Sequence, residues 1–191
     1  YRAAAIGRTG KGGYGHGLHL AYENLDNVEF IAVADEDEKG RLEAQQATGA
    51  PREYPDYQEM LRQETPDIVS VGPRWTDCHL EMVLACLEAG AHVYCEKPMT
   101  ATLADGDTIV ARAAELGKKV AVSHQGVYLP GIRRVKQLIN EGRIGQFHFG
   151  NEVHARASSM VFGRLAMNAS HSAWSGWLSE CDARCRSLIH S

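Results

Sequence analysis

The sequence predicts an α/β protein in which a doubly wound parallel sheet is followed by only the start of a second, α+β domain. Three observations lead there. Short apolar runs alternate with amphipathic helical patterns, a cluster of glycines follows the first run, and near residue 146 the pattern switches to alternation. The 191 residues are 44% hydrophobic and 23% charged, with a formal charge of −4. Such a chain can bury a sizeable core, and its apolar runs are too short for a membrane span. Its negative balance gives no attraction to nucleic acid or to an anionic membrane, so a small soluble ligand is the expected partner. Five cysteines, widely spaced apart from Cys181 and Cys185, do not suggest a disulfide framework and favour a reducing compartment, the cytoplasm.

The first strand is expected at Ala3 to Ile6. After the glycines, Leu18, Ala21, Tyr22 and Leu25 repeat at helical spacing, giving strand, loop and helix. Val28 to Ala34 is a second buried strand ending at Asp35, and Asp37 caps the helix that Gly49 and Pro51 close. A short helix from Asp56 to Glu64 precedes the strand Ile68 to Val71, which Gly72 and Pro73 stop. Leu80, Val83, Leu84 and Leu87 mark the next helix, ended by Gly90, and Ala91 to Cys95 the next strand. Thr102 and Asp105 have capping spacing for a helix carrying Ile109, Ala113 and Leu116 and stopped by Gly117. Lys119 to Ser123 is a strand, and Ile132, Val135 and Ile139 a helix ending at Gly142. The alternation of strands with helices implies a parallel sheet with right-handed crossovers, with the ligand beyond the strands' carboxyl ends.

From Gln146 to Ala155, Phe147, Phe149, Val153 and Ala155 alternate on one face, as in an antiparallel strand. The expected boundaries are therefore 1–145 for the first domain and 146–191 for the start of a second, truncated or aberrant after about 157. Beyond that point neither period persists, and serine replaces the usual mixture of charges.

Glycine is the informative excess, at 19 residues, six of them within the first 20. Glycine allows a backbone to bend sharply and to approach a ligand without a Cβ in the way. In Gly7-Arg8-Thr9-Gly10-Lys11-Gly12-Gly13-Tyr14-Gly15-His16-Gly17, two registers of a dinucleotide fingerprint are open. One starts at Gly7, directly after the strand, and the other uses Gly10, Gly12 and Gly15. Either presents backbone N–H groups to a pyrophosphate. Asp35 stands 20 residues after Gly15, where a carboxylate accepts from the adenosine ribose hydroxyls, although the same acid could simply lead into a helix cap. With Glu36, Asp37 and Glu38 it would repel a 2′-phosphate, favouring NAD over NADP. Lys97, in Glu96-Lys97-Pro98, follows a strand at the functional edge, where an amine can exchange a proton with a hydroxyl or carbonyl. His79 lies at the same edge and reads equally as a helix-surface residue. No metal site is expected, since Cys181 and Cys185 have no second pair.

Taken together, these residues resemble the N-terminal half of the glucose-fructose oxidoreductase / inositol dehydrogenase / MocA (Gfo/Idh/MocA) family, over roughly Arg2 to Ala155. The most specific stretch is Leu87-Glu88-Ala89-Gly90-Ala91-His92-Val93-Tyr94-Cys95-Glu96-Lys97-Pro98. Pro66-Asp67-Ile68-Val69, Pro73 followed by His79, and Gly142-Arg143-Ile144-Gly145 support it. The resemblance implies a Rossmann-type, NAD(P)-dependent oxidoreductase of sugars, cyclitols and related polyols, with a family-type homo-oligomer. It further implies that Lys97 is catalytic and that Gly7, Thr9, Gly10 and Gly12 form the cofactor loop. Asp35 would be the ribose carboxylate, Pro73 and His79 the nicotinamide-side wall, and Glu96 a cofactor-side neighbour. The arginine that often precedes the position of Tyr128 is absent, and so is an Asp-x-x-x-His segment, so the chain as it stands is expected to bind NAD without turnover. A non-catalytic dinucleotide-binding module and an NAD-dependent glycoside-cleaving relative are the alternative readings.

Overall fold

The computed structural model describes residues 1–143, 150–156 and 159–165, the last two segments as backbone only. The chain divides into two compact units, Tyr1–His124 and Gln125–Ser191.

The first unit is a six-stranded parallel sheet in the order β3-β2-β1-β4-β5-β6, made of β1 (Arg2–Ile6), β2 (Glu29–Ala34), β3 (Arg52–Tyr54), β4 (Ile68–Val71), β5 (His92–Cys95) and β6 (Val120–Val122). Four helices connect them: α1 (Glu38–Thr48), α2 (Tyr57–Glu64), α3 (His79–Glu88) and α4 (Leu103–Glu115). The strand order reverses at β1, between β2 and β4, so a crevice opens at the carboxyl ends of β1 and β4.

The central strands are apolar on both faces because both faces are covered. Ala3, Ala4, Ala5 and Ile6 are all buried. On one face Met60 of α2, Val83 and Leu87 of α3, and Ile109 of α4 join Ile6, Val69 and Val71. On the other, Ala44 of α1 and the loop residue Tyr14 cover Ala5 and Val33. The helix ends use the anticipated signals. Asp37 accepts from the Gly40 N–H at 2.7 Å, Thr102 accepts from the Asp105 N–H at 3.1 Å, and Gly49 ends α1 in the left-handed region at φ 68°.

Two elements differ from expectation. The helix predicted through Leu18 and Leu25 is a single 3₁₀ turn, Leu18–Leu20. Gly15, Gly17 and Asn24 have φ of 64°, 83° and 63°, and a right-handed helix cannot run through such residues. Only Leu18 of the predicted face is buried, while Leu25 is exposed. The second is the sixth strand, β3, which has no apolar run to announce it. Arg-Glu-Tyr forms an edge paired on one side only, and its charged side chains suit an edge.

In the second unit a 3₁₀ turn, Gln125–Tyr128, leads into α5 (Pro130–Asn140), with proline in the first turn. β7 (Gly150–Arg156) and β8 (Ser159–Leu165) form an antiparallel pair with Val153 opposite Phe162. The alternation expected from Gln146 covers most of β7, and its first four residues lie outside the described ones. β8 has no clean period in the sequence.

Candidate functional site

The sheet register brings the functional candidates into one row. Ile6 is level with Ala34 and with Val71, Val71 with Cys95, and Cys95 with Val122. Each following residue continues the ladder: Gly7 N–H donates to Ala34 O at 2.8 Å, Gly72 N–H to Ile6 O at 2.9 Å, and Glu96 N–H to Val71 O at 2.9 Å. Gly7, Asp35, Gly72 and Glu96 therefore leave the sheet at one edge, and the loops they open surround the crevice.

The first loop is a small hairpin. Arg8 and Gly13 form an antiparallel bridge, with Gly13 N–H to Arg8 O at 3.1 Å and Lys11 N–H to Arg8 O at 3.0 Å. Its tip, Gly10-Lys11-Gly12, carries exposed glycines whose N–H groups make no hydrogen bond among the described residues. Gly7 must be glycine because a Cβ there would enter the Tyr14 ring. At Gly15 the φ is 64°, and a Cβ would stand 2.6 Å from Gly72 O and 2.9 Å from Glu96 Oε2. The unbonded amides of this loop are thus offered by a hairpin tip, without the α-helix N-terminus expected behind it.

The hairpin lies against the turn after β4. Arg8 Nη1 meets Asp77 Oδ2 at 3.2 Å, Arg74 N–H donates to Lys11 O at 3.3 Å, and Lys11 Nζ sits 3.9 Å over the Trp75 ring. A groove lined by Lys11, Arg74, Trp75, Thr76, Asp77 and Pro98 opens beside these contacts.

Asp35 is 3% exposed, and its carboxylate accepts from the Thr9 N–H at 2.9 Å, the Thr9 hydroxyl at 2.8 Å and the Asp37 N–H at 3.0 Å. A small concavity lined by Gly7, Arg8, Asp35, Glu36, Pro55 and Tyr57 lies next to it. Tyr14 donates to Ala34 O at 3.0 Å, and burial, with the Asp35 charge nearby, pushes its phenol well above the ordinary value.

On the other side of the crevice, Pro73 and His79 are buried. The His79 Nε2 is 2.6 Å from Pro73 O, and Nδ1 is 3.0 Å from Met99 O and 3.1 Å from Pro98 O. The ring braces two carboxyl-edge turns from beneath. Glu96 is fully buried; its Oε1 is 2.8 Å from His16 Nδ1, and its Oε2 has no partner among the described residues. Lys97 is exposed, and its Nζ makes no hydrogen bond or ion pair among those residues. Burial and the charge of Glu96 push the Cys95 thiol up to about 12, so it is no nucleophile at neutral pH.

The arrangement fits a dinucleotide: unpaired amides at a glycine tip, a carboxylate at the end of β2, and a free amine at the end of β5, all on one edge at the strand-order reversal. His16, Arg74, Lys11 and Trp75 were not legible as site residues, because their partners are far away in the sequence. Among the described residues no group of three or more His, Cys, Asp or Glu could hold a metal ion, and no helix is long and apolar enough to cross a membrane.

Residues 1–124, the whole of the sheet unit, match the family model described as an oxidoreductase family with an NAD-binding Rossmann fold. The chain belongs to the Gfo/Idh/MocA family. Similar members include a D-apiose dehydrogenase of Paraburkholderia graminis, 32% identical over 145 residues, which are 76% of this chain and 38% of that protein. A myo-inositol 2-dehydrogenase of Thermotoga maritima is 28% identical over 144 residues, 74% of this chain and 43% of that protein. Among solved structures, a probable dehydrogenase from Thermotoga maritima superposes with a TM-score of 0.67 at 26% identity, covering 78% of this chain and 44% of that one. The chain thus spans less than half the length of these Gfo/Idh/MocA relatives.

Proposed function

We propose that the chain binds NAD across the β1–β4 crevice and carries the cofactor half of a dehydrogenase for a sugar, cyclitol or related polyol. The observation that carries this reading is the single row of Gly7, Asp35 and Glu96, with the unpaired Lys97 at its end. In this reading the Gly10 and Gly12 amides meet the pyrophosphate. Asp35, held by Thr9, marks the ribose position, and Pro73 and His79 support the nicotinamide side.

Bound NAD would supply a hydride acceptor. Lys97 would take the proton of the substrate hydroxyl as that carbon loses hydride, and would return it in the reverse direction. The acidic run Asp35-Glu36-Asp37-Glu38 favours NAD over NADP. Residues 1–145 would form the cofactor domain and 146–191 the start of the substrate and oligomerisation domain. A second reading is a dinucleotide-binding module without turnover.

Calorimetric titration of the folded chain with NAD tests the proposal. Saturable one-site binding is expected, and its absence from a folded sample would overturn the cofactor reading. Sugar-dependent NADH formation by this chain would remove the module reading.

A further inference from the structure

Glu96 is a fully buried carboxylate next to Lys97, and its neighbours are few. The titratable or charged groups that face it are His16 from the glycine loop, Arg74 behind His16, and Cys95 and Lys97 on its own segment. The Arg74 Nη2 is 3.1 Å from His16 Nε2, and His16 Nδ1 is 2.8 Å from Glu96 Oε1. A guanidinium only donates and a carboxylate only accepts, so these two contacts assign the ring: Nε2 accepts from Arg74 and Nδ1–H donates to Glu96. Gly15, directly before His16, has no side chain, and this lets the loop close over the carboxylate.

We propose that His16 is a positioning residue that joins the glycine loop to Glu96, and through it fixes the backbone that presents Lys97. This rests on the reading of Lys97 and the loop given above. A buried carboxylate is costly without a donor, and the only side-chain donor to Glu96 among the described residues comes from the loop that would hold the pyrophosphate. Loop order and lysine placement then become one event. The neighbouring unpartnered Oε2 leaves Glu96 dependent on this single bond.

The test compares His16→Leu, His16→Asn and the double variant His16→Leu/Glu96→Gln in the chain as it exists. The Asn amide places a donor near the position of Nδ1, whereas Leu places none. Two readouts are used: NAD affinity by calorimetry, and thermal stability.

Loss of one charge-assisted hydrogen bond predicts about tenfold weaker NAD binding for His16→Leu, with His16→Asn restored to within about twofold. A buried carboxylate deprived of its donor is costly to keep in the folded chain, so His16→Leu should lower the thermal midpoint. Adding Glu96→Gln, which removes the buried charge, should restore most of that loss. His16→Ala serves the same comparison should His16→Leu not fold.

A double variant no more stable than His16→Leu, or His16→Asn no better than His16→Leu, would overturn the inference. Absence of NAD binding by the unmodified chain would overturn the cofactor reading instead, and the stability arm would still decide the role of His16.

Discussion

The Thr9 hydroxyl donates to the Asp35 carboxylate at 2.8 Å, and the Thr9 N–H reaches the same oxygen at 2.9 Å. One residue of the glycine hairpin is therefore doubly bonded to the end of β2. The fit is tight, since a Cβ on Gly40 would collide with that hydroxyl. Thr9→Val keeps the shape and the N–H but removes the hydroxyl donor. It should cost about 1–2 kcal/mol in urea unfolding, and an unchanged midpoint would show that the hydroxyl bond contributes nothing.

The same carboxylate bears on cofactor choice. A 2′-phosphate placed near Asp35 would meet a buried anion already supplied with donors from Thr9 and Asp37, with Glu36 and Glu38 close in the sequence. NAD should bind at least about tenfold more tightly than NADP. Parallel titrations with the two cofactors measure this, and equal affinities would refute the preference.

Glu64 anchors the edge strand away from the crevice. It is 3% exposed and receives Arg52, Arg2 and Tyr54, with Arg2 Nη2 at 3.2 Å. Burial pushes its carboxyl upward, but the hydrogen bonds from Arg52 and Tyr54 and the charges of Arg52 and Arg2 outweigh it, leaving the group below the ordinary value. A lowered folded value means stability that is present above the unfolded value near about 4.3 and lost as pH falls through the folded one. Because both arginine side chains are well exposed, Glu64→Gln should cost only about 1–2 kcal/mol at pH 7. The acid side of its stability profile should be flatter than that of the parent. Identical acid profiles for the two would show that Glu64 has no part in acid unfolding.

The legible parts of the molecule are those where physical signal is local. Ala3 to Ile6 and Ile68 to Val71 announce buried strands because both of their faces are covered, and Asp37 and Thr102 announce caps because their partners lie three residues away. β3 was silent because an edge strand needs no apolar run. The lost helix after the loop was misread because Leu18, Ala21, Tyr22 and Leu25 do have helical spacing, while the left-handed backbone at Gly15, Gly17 and Asn24 leaves no mark in apolar periodicity. Gly7, Asp35 and Lys97 could be proposed from motif and strand end. The His16 bond to Glu96 spans 80 residues and has no local trace.

Lys97 bears the chemical part of the proposal, and its exposure makes it a safe site to change. Lys97→Ala should leave the stability of the chain within about 0.5 kcal/mol and its NAD affinity within about threefold. In the whole protein, turnover should fall by about 10²-fold or more, as expected when a positioned acid–base group is lost. Normal turnover in that variant would remove Lys97 from the mechanism.

The clasp between Lys11 and Trp75 gives the last expectation. Trp75 is 54% exposed, yet Lys11 Nζ lies 3.9 Å from its ring centroid, and the Lys11 carbonyl accepts from the Arg74 N–H. Together with Arg8–Asp77, these contacts tie the hairpin tip to the β4 turn across the crevice where the dinucleotide is proposed to lie. A cation–π contact at an exposed site is worth about 0.5–1 kcal/mol, so global stability should hardly register its loss. Its effect should instead be kinetic. A tip released from Trp75 leaves the crevice open more often, so Lys11→Met should raise the NAD dissociation rate by about two- to fivefold with little change in association. Stopped-flow displacement of NADH measures that rate, and Trp75→Leu should raise it equally, because each substitution removes one half of the same contact. A double variant no faster than either single one would show the two residues acting as a pair, whereas additive increases would mean that they act separately.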